Sequence, residues 1–187
     1  MNVTVAPPAF SLVDFDAGRI AALAAEVAAL VGVPDDVTVE VEVEERSPFG
    51  KTSAVVSGRS VRLVVEGGAF EDPQRLRQFS DAGARLALGR LLYRVADRFD
   101  PAFGDPPADA DLTMADHAAW DAYSLGRYAR RAGVDGGHGR RRYAFRIRHG
   151  FSDAADQAFD QLWHGSDLTW SDIQRISGAS PAPPDAT

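Results

Sequence analysis

Eight arginines lie within 22 residues of a chain that is otherwise acidic: Arg127, Arg130, Arg131, Arg140, Arg141, Arg142, Arg146 and Arg148. Tyr143, Phe145 and Phe151 are interleaved with the second half of this group. Arginine binds phosphate and carboxylate through paired hydrogen bonds, and aromatic rings can stack on nucleic-acid bases. The stretch therefore predicts a surface for nucleic acid, a phosphorylated ligand or an acidic partner. Its candidate binding residues are Arg140, Arg141, Arg142, Arg146, Arg148 and Tyr143.

The same arginines could instead be neutralised within the protein. Asp153, Asp156 and Asp160 follow closely, and further aspartates lie in residues 105–111. The net charge of −7 favours this internal pairing and does not favour nonspecific affinity for nucleic acid. An alternating pattern at Tyr143, Phe145 and Ile147 also leaves open a short strand with one buried face.

Other motifs give weaker indications of chemistry. Gly50-Lys51-Thr52 matches the end of a phosphate-binding loop, but Glu45 stands where that loop needs its first glycine. No two of the four histidines are spaced i, i+4 in the way that zinc-binding helices require. His117 with Asp116 and Asp121 could form part of a metal site, and an exposed helical turn explains them equally well. We therefore predict neither a metal nor another cofactor.

The composition narrows the class of protein. A chain of 187 residues without cysteine is long enough to fold without disulfides and fits a reducing, cytoplasmic environment. The first residues lack the features of a signal peptide, and no apolar run approaches 18 residues, so no membrane association is expected.

The first half of the chain has the pattern of an α+β core. We expect an extended arm at 1–13 and an amphipathic helix over about 17–31. VTVEVEVEE at 37–45 predicts a half-buried strand, and 52–66 a hairpin turning at Gly58-Arg59. A short helix near 73–78 should lead into DAGARLALGRLLYRVADRF at 81–99, whose apolar arc is about twice that of an ordinary surface helix.

The second half is helical in character. A proline- and aspartate-rich connection at 101–111 separates it from the 14–100 core. Helices are expected over about 113–132, 153–163 and 170–176, with the same Thr-x-x-Asp cap at Thr113 and Thr169. The region 112–178 should pack on the core, and 179–187 should form a disordered tail.

The order of elements over roughly 15–100 resembles that of the minimal zincin-like metallopeptidases of bacteria. In that family the buried helix contains His-Glu-x-x-His, with two zinc-binding histidines and a glutamate general base. The corresponding positions here are Gly89, Arg90 and Tyr93, and the motif occurs nowhere in the chain. The resemblance thus implies a degenerate zincin-like core without metal or peptidase chemistry.

The sequence as a whole predicts an α+β protein. A small, mostly antiparallel sheet should pack on a central buried helix at 81–99, followed by a helical C-terminal region. We expect a non-catalytic cytoplasmic interaction protein, with an acidic protein or ligand as its partner. Two alternatives stay open: an enzyme whose site is assembled only in space, and an arginine surface that binds nucleic acid or a phosphorylated ligand.

Overall fold

The computed structural model describes residues 1–179. It divides the chain into a first unit, 1–99, and a second unit that begins at Asp100. Six α-helices and six strands in the described residues confirm the predicted α+β class. The tail predicted at 179–187 lies, except for its first residue, outside the described part of the chain.

The first unit is built on a four-stranded sheet in the order β1-β2-β4-β3. Its strands are β1 (Asn2–Ala6), β2 (Thr38–Glu44), β3 (Thr52–Ser57) and β4 (Ser60–Glu66). The β3–β4 hairpin is confirmed, with Gly58 at φ 56° in its two-residue turn, a conformation that glycine adopts without strain. The segment predicted as an extended arm contains β1, which pairs with β2.

The sheet is mixed, whereas the sequence had suggested a mostly antiparallel one. β1 pairs parallel to β2, and β2 parallel to β4. Parallel neighbours need a long crossover, and helix α1 (Ala17–Val31) supplies it between β1 and β2. The hairpin then places β4 beside β2 and leaves β3 at the edge. Hydrophobic alternation fixes which face of a strand is buried, but it does not fix the order of the strands.

The predicted alternation of β2 is confirmed. Val39, Val41 and Val43 are buried, while Glu40 and Glu44 are exposed on the opposite face. α1 packs against β1 and against α2 (Asp81–Phe99), which also contacts β3, and the leucines of α2 at 88, 91 and 92 are fully buried. At about 25 cal/mol per Å² of buried apolar surface, these contacts are the main stabilising term of the unit.

The lead-in to α2 is a hairpin, so the helix predicted near 73–78 is wrong. The hairpin consists of β5 (Glu71–Asp72) and β6 (Arg75–Phe79). It brings Phe70 and Phe79 together, with ring centroids 5.9 Å apart, and both rings contact Phe15. Pro73 is compatible with the first turn of a helix, and the aromatic contact outweighs that local preference.

Arg85 in α2 has its partner on another helix. Its guanidinium donates to both carboxylate oxygens of Glu26 in α1, at 2.6 and 2.9 Å. Asp81, four residues before Arg85 on the same helix, pairs with Arg19. The i, i+4 rule considers only neighbours on one helix, whereas α1 lies against α2 and offers a carboxylate in bidentate geometry.

The second unit, as far as residue 179, contains four α-helices: α3 (Met114–Ala132), α4 (His138–His149), α5 (Asp153–His164) and α6 (Trp170–Gly178). The Thr169–Asp172 capping box of α6 is present, and Thr113 caps α3 by accepting the Asp116 N–H. Trp120 of α3 lies between Phe103 and Trp170, with ring centroids 5.5 and 5.2 Å away. The strand that 143–147 had left open is not formed, because these residues belong to α4.

Candidate protein-interaction surface

Helix α4 is held between two short, well-defined connections. α3 ends at Gly133, which has φ 66°, and Gly137 at φ 70° precedes the first residue of α4. After α4, Gly150 at φ 90° turns the chain, and Ser152 caps α5 by accepting the Ala155 N–H. Positive φ at these three positions favours glycine, so local sequence fixes where α4 begins and ends.

One side of α4 is buried in the second unit. Phe145 and His149 are each 1% exposed, and their rings stack at 3.7 Å. Phe145 also contacts Phe159 of α5, so it is not one of the aromatic rings available to a ligand. The His149 imidazole lies 2.9 Å from the Ser177 hydroxyl of α6, and burial lowers its pKa. Together these contacts fix the rotation of α4 about its own axis.

Two of the predicted binding arginines are neutralised within the unit. Arg146 forms a bidentate pair with Asp156 of α5, with Nε donating at 2.6 Å. This hydrogen bond raises the pKa of Arg146 and lowers that of Asp156. Arg142 pairs with Asp160 of the same helix. The prediction that these arginines pair with carboxylates of the protein itself is therefore confirmed for Arg142 and Arg146. Their ion pairs connect α4 to α5.

The remaining candidates differ from these two. Arg140 and Arg148 are exposed and make no ion pair with any residue in 1–179. They are eight residues apart, which places them about 12 Å apart along the helix axis. Arg141 is half-buried. The outward charge of α4 is thus concentrated near its two ends.

Three apolar side chains lie on the same outward side. Tyr143, Ile147 and Phe151 are 59%, 47% and 66% exposed, and they follow one another at intervals of four residues. The Tyr143 and Phe151 rings meet edge to face, with centroids 5.7 Å apart. We call the group formed by Arg140, Tyr143, Ile147, Arg148 and Phe151 the α4 surface. Aromatic residues and arginine are the types enriched at protein interfaces.

The structure brings together some predicted residues and adds others. Arg140, Tyr143 and Arg148 share the α4 surface, whereas Arg142 and Arg146 face α5. Ile147 was not predicted as a binding residue, and Phe151 was noted only as an aromatic neighbour. The spacing of Tyr143 and Ile147 is helical and was available in the sequence, whereas Phe151 lies beyond the end of α4 and meets Tyr143 after the turn at Gly150. The helical spacing was obscured because 143, 145 and 147 also fit a strand.

The three positions that the zincin-like resemblance aligns with His-Glu-x-x-His lie along α2. Gly89 is buried and Tyr93 is half-buried. Arg90 is 8% exposed, and its Nη2 donates to the Thr52 hydroxyl of β3 at 2.6 Å. This hydrogen bond connects the helix to the sheet. A cationic side chain at this position is the opposite of what a metal-binding helix requires.

The described residues contain few of the arrangements that metal chemistry needs. No group of three or more His, Cys, Asp or Glu within 1–179 is placed to hold a metal ion. His117 contacts Asp121 at 3.8 Å on one turn of α3. Separately, none of the helices in this part of the chain is both long and apolar enough to cross a membrane.

Comparison with known proteins adds no relative. No protein-family model matches the chain, and no match is found among curated proteins or solved structures.

Proposed function

We propose that this is a non-catalytic interaction protein whose α4 surface binds an acidic segment of a partner protein. The observation on which the proposal rests is the exposed group Tyr143, Ile147 and Phe151, which lies between Arg140 and Arg148, two arginines that make no ion pair within residues 1–179. Exposed apolar patches of this kind mark interaction sites when polar groups border them. A partner helix with two or three apolar anchors and carboxylates about two turns apart would match this group and both guanidinium groups. The cysteine-free composition supports a cytoplasmic setting for this interaction.

A protein partner fits better than nucleic acid. Phosphate backbones need several arginines free to contact successive phosphates. Here Arg142 and Arg146 are already paired, and the carboxylates of Asp156 and Asp160 lie beside them. Tyr143 and Phe151 contact each other edge to face, which reduces the ring faces that could stack on bases. Nucleic acid or a phosphorylated ligand is therefore the alternative to be separated by experiment.

A second copy of the same helix does not fit the α4 surface. Arg140 and Arg148 lie near the two ends of α4. An antiparallel arrangement would place Arg140 against Arg148 of the other copy, and a parallel one would pair each arginine with itself. Like charges across an interface weaken association, so an acidic partner is the complementary one.

The packing role of α2 in the first unit supports the proposal that the protein is not a catalyst. Arg90 bonds to Thr52 at the position where a zincin would hold its glutamate, so α2 is best explained as a packing element. The relation to zincins itself stays a prediction. Elemental analysis of purified protein tests the metal-free reading, and stoichiometric zinc would refute it.

The binding proposal is tested with defined probes. The main probe is a helical peptide with leucines at i and i+4 between glutamates two turns apart. Its control has glutamine in place of glutamate, and a single-stranded oligonucleotide serves as the nucleic-acid probe. Fluorescence anisotropy is measured at low and high salt. We expect the acidic peptide to bind most tightly, and its affinity to fall as salt is raised.

Variants locate the site. Arg140→Glu with Arg148→Glu should weaken peptide binding about tenfold, because two exposed ion pairs contribute up to about 1 kcal/mol each. Tyr143→Ala should weaken it by a similar factor, since aromatic anchors dominate interface energy. Arg75→Glu in exposed β6 is the matched control and should have no effect. Equal loss in the control, or tighter oligonucleotide binding that the α4 variants abolish, would refute the acidic-protein proposal.

A further inference from the structure

Strand β1 forms one edge of the four-stranded sheet, and hydrogen bonds show how that edge is oriented. On the β4 side of β2, Thr38 donates its backbone N–H to the Arg59 carbonyl at 2.9 Å. Backbone groups of successive strand residues point alternately to the two neighbouring strands. Val39 and Val41 of β2 therefore direct their N–H and C=O groups toward β1.

The parallel register then assigns each residue of β1. Val3 lies opposite Val39 and Val5 opposite Val41. In a parallel ladder the bonded groups on the facing strand come from the residues on either side of the opposite one. These are Asn2, Thr4 and Ala6. Val3 and Val5 therefore direct their N–H and C=O groups away from the sheet, and no hydrogen bond from residues 1–179 reaches them on that side.

This edge lacks the features that normally prevent strand addition. β1 reads NVTVA, without a charged side chain or a proline within the strand. Edge strands are usually protected by lysine, proline, a bulge or an inward-pointing charge. In β3, the strand at the opposite edge, Ala54 takes part in a further interaction. The β1 edge is thus the better place for an added strand.

We infer that β1 pairs with β1 of a second copy of this chain. In the antiparallel arrangement Thr4 faces Thr4 of the other copy on the two-fold axis. Val3 faces Val5 on each side as a pair that exchanges both backbone hydrogen bonds. All outward N–H and C=O groups of Val3 and Val5 are then satisfied. Two four-stranded sheets become one continuous sheet.

The second copy is favoured over a foreign peptide because the edge is self-complementary. Val3 and Val5, whose backbone groups point outward, lie on either side of Thr4. A two-fold axis at Thr4 therefore lets all of these groups form hydrogen bonds with the second copy. The central Thr–Thr pair lies on the solvent face, where such pairs are favourable, and no like charges meet. The half-buried Val3 and Val5 of each copy come to lie side by side on the helix-covered face. This contact involves neither the α4 surface nor its arginines.

The experiment measures the mass of the full chain by light scattering after size exclusion at about 100 µM. We expect twice the monomer mass of 20.1 kDa. Thr4→Lys places two ammonium groups on the axis and should give a folded monomer, since Glu40 lies opposite residue 4 within the same copy. Thr4→Val, which adds no charge, should leave the dimer intact.

A second variant and a second measurement distinguish loss of the dimer from loss of folding. Val5→Pro removes the outward N–H of residue 5 and keeps the inward N–H groups of Thr4 and Ala6, so it should also give a folded monomer, because edge strands tolerate proline at such a position. Amide exchange at Val3 and Val5 should be slow in the wild type and fast in Thr4→Lys, with Ala6 protected in both. A wild-type monomer with fast exchange at Val3 and Val5 would overturn the inference. A dimer that survives both variants, or one that is lost in Arg140→Glu with Arg148→Glu, would do so as well.

Discussion

Replacing Gly126 in the middle of α3 by alanine is a test in which helix propensity and tertiary packing predict opposite changes in the free energy of unfolding. The residue is buried where α3 crosses α5. A Cβ added there would fall well inside contact distance of the Trp163 carbonyl oxygen, and 2.9 Å from the Trp163 Cα. These are backbone atoms near the end of α5, so no side-chain rotation relieves the overlap. The same carbonyl accepts a hydrogen bond from Arg130, which also holds the Gly165 carbonyl at 2.6 Å.

For Gly126→Ala the cost of overpacking is larger than the gain in helix propensity. Gly→Ala inside a helix normally stabilises by about 0.5–1 kcal/mol, because alanine loses less backbone entropy on folding. Overpacking a tight core contact costs about 1–3 kcal/mol, and a backbone obstacle places this case toward the upper part of that range. We therefore expect Gly126→Ala to lower the free energy of unfolding of the second unit by about 1–2 kcal/mol.

Tryptophan fluorescence measures this unit selectively. The chain has three tryptophans, at 120, 163 and 170, and all three lie in the second unit. Urea unfolding followed by their emission should show a lower midpoint for Gly126→Ala, with an unchanged slope. A slope change would indicate an altered unfolded or native state and would need a separate explanation.

Gly139→Ala is the matched control. Gly139 lies in α4, is exposed, and nothing stands within 4 Å of an added Cβ. This variant should be neutral or stabilised by up to about 1 kcal/mol. If Gly126→Ala is as stable as Gly139→Ala, the close approach of α3 and α5 does not exclude a Cβ at residue 126, and the predicted destabilisation is refuted.

Two further predictions concern buried polar contacts. Thr52→Val should destabilise the first unit by about 1.5–3 kcal/mol, because buried Arg90 loses a charge-assisted hydrogen bond; circular dichroism during thermal unfolding measures this, and Thr52→Ser, which keeps the hydroxyl, should lose clearly less. His149 should titrate below its ordinary pKa of about 6.5, because burial lowers its pKa more than the Phe145 carbonyl and the charge of Asp116 raise it. Its contribution to stability is then complete above pH ~6.5 and declines as pH falls through that value toward the lower native pKa, since the unfolded chain takes up the proton first. An NMR titration of the His149 ring that gave a pKa at or above 6.5 would contradict this.

The sequence by itself determined the local structure of most elements. Valine alternation defined β2, the two-residue turn defined the β3–β4 hairpin, and Thr169 with Asp172 defined the start of α6. These features depend on residues close in sequence, on the period of two in a strand and on capping hydrogen bonds. The wide apolar arc of α2 likewise predicted its burial, which the structure confirms.

Only the tertiary structure decided which groups meet over long distances. It placed β1 and β4 on either side of β2, and it gave Arg85 the partner Glu26 in place of Asp81. It also decided that Arg142 and Arg146 form ion pairs with α5, whereas Arg140 and Arg148 are exposed. A residue's charge can be read from the sequence, but its neutralisation depends on which carboxylate the fold brings within about 4 Å. That distance is set by the packing of the helices and not by position along the chain.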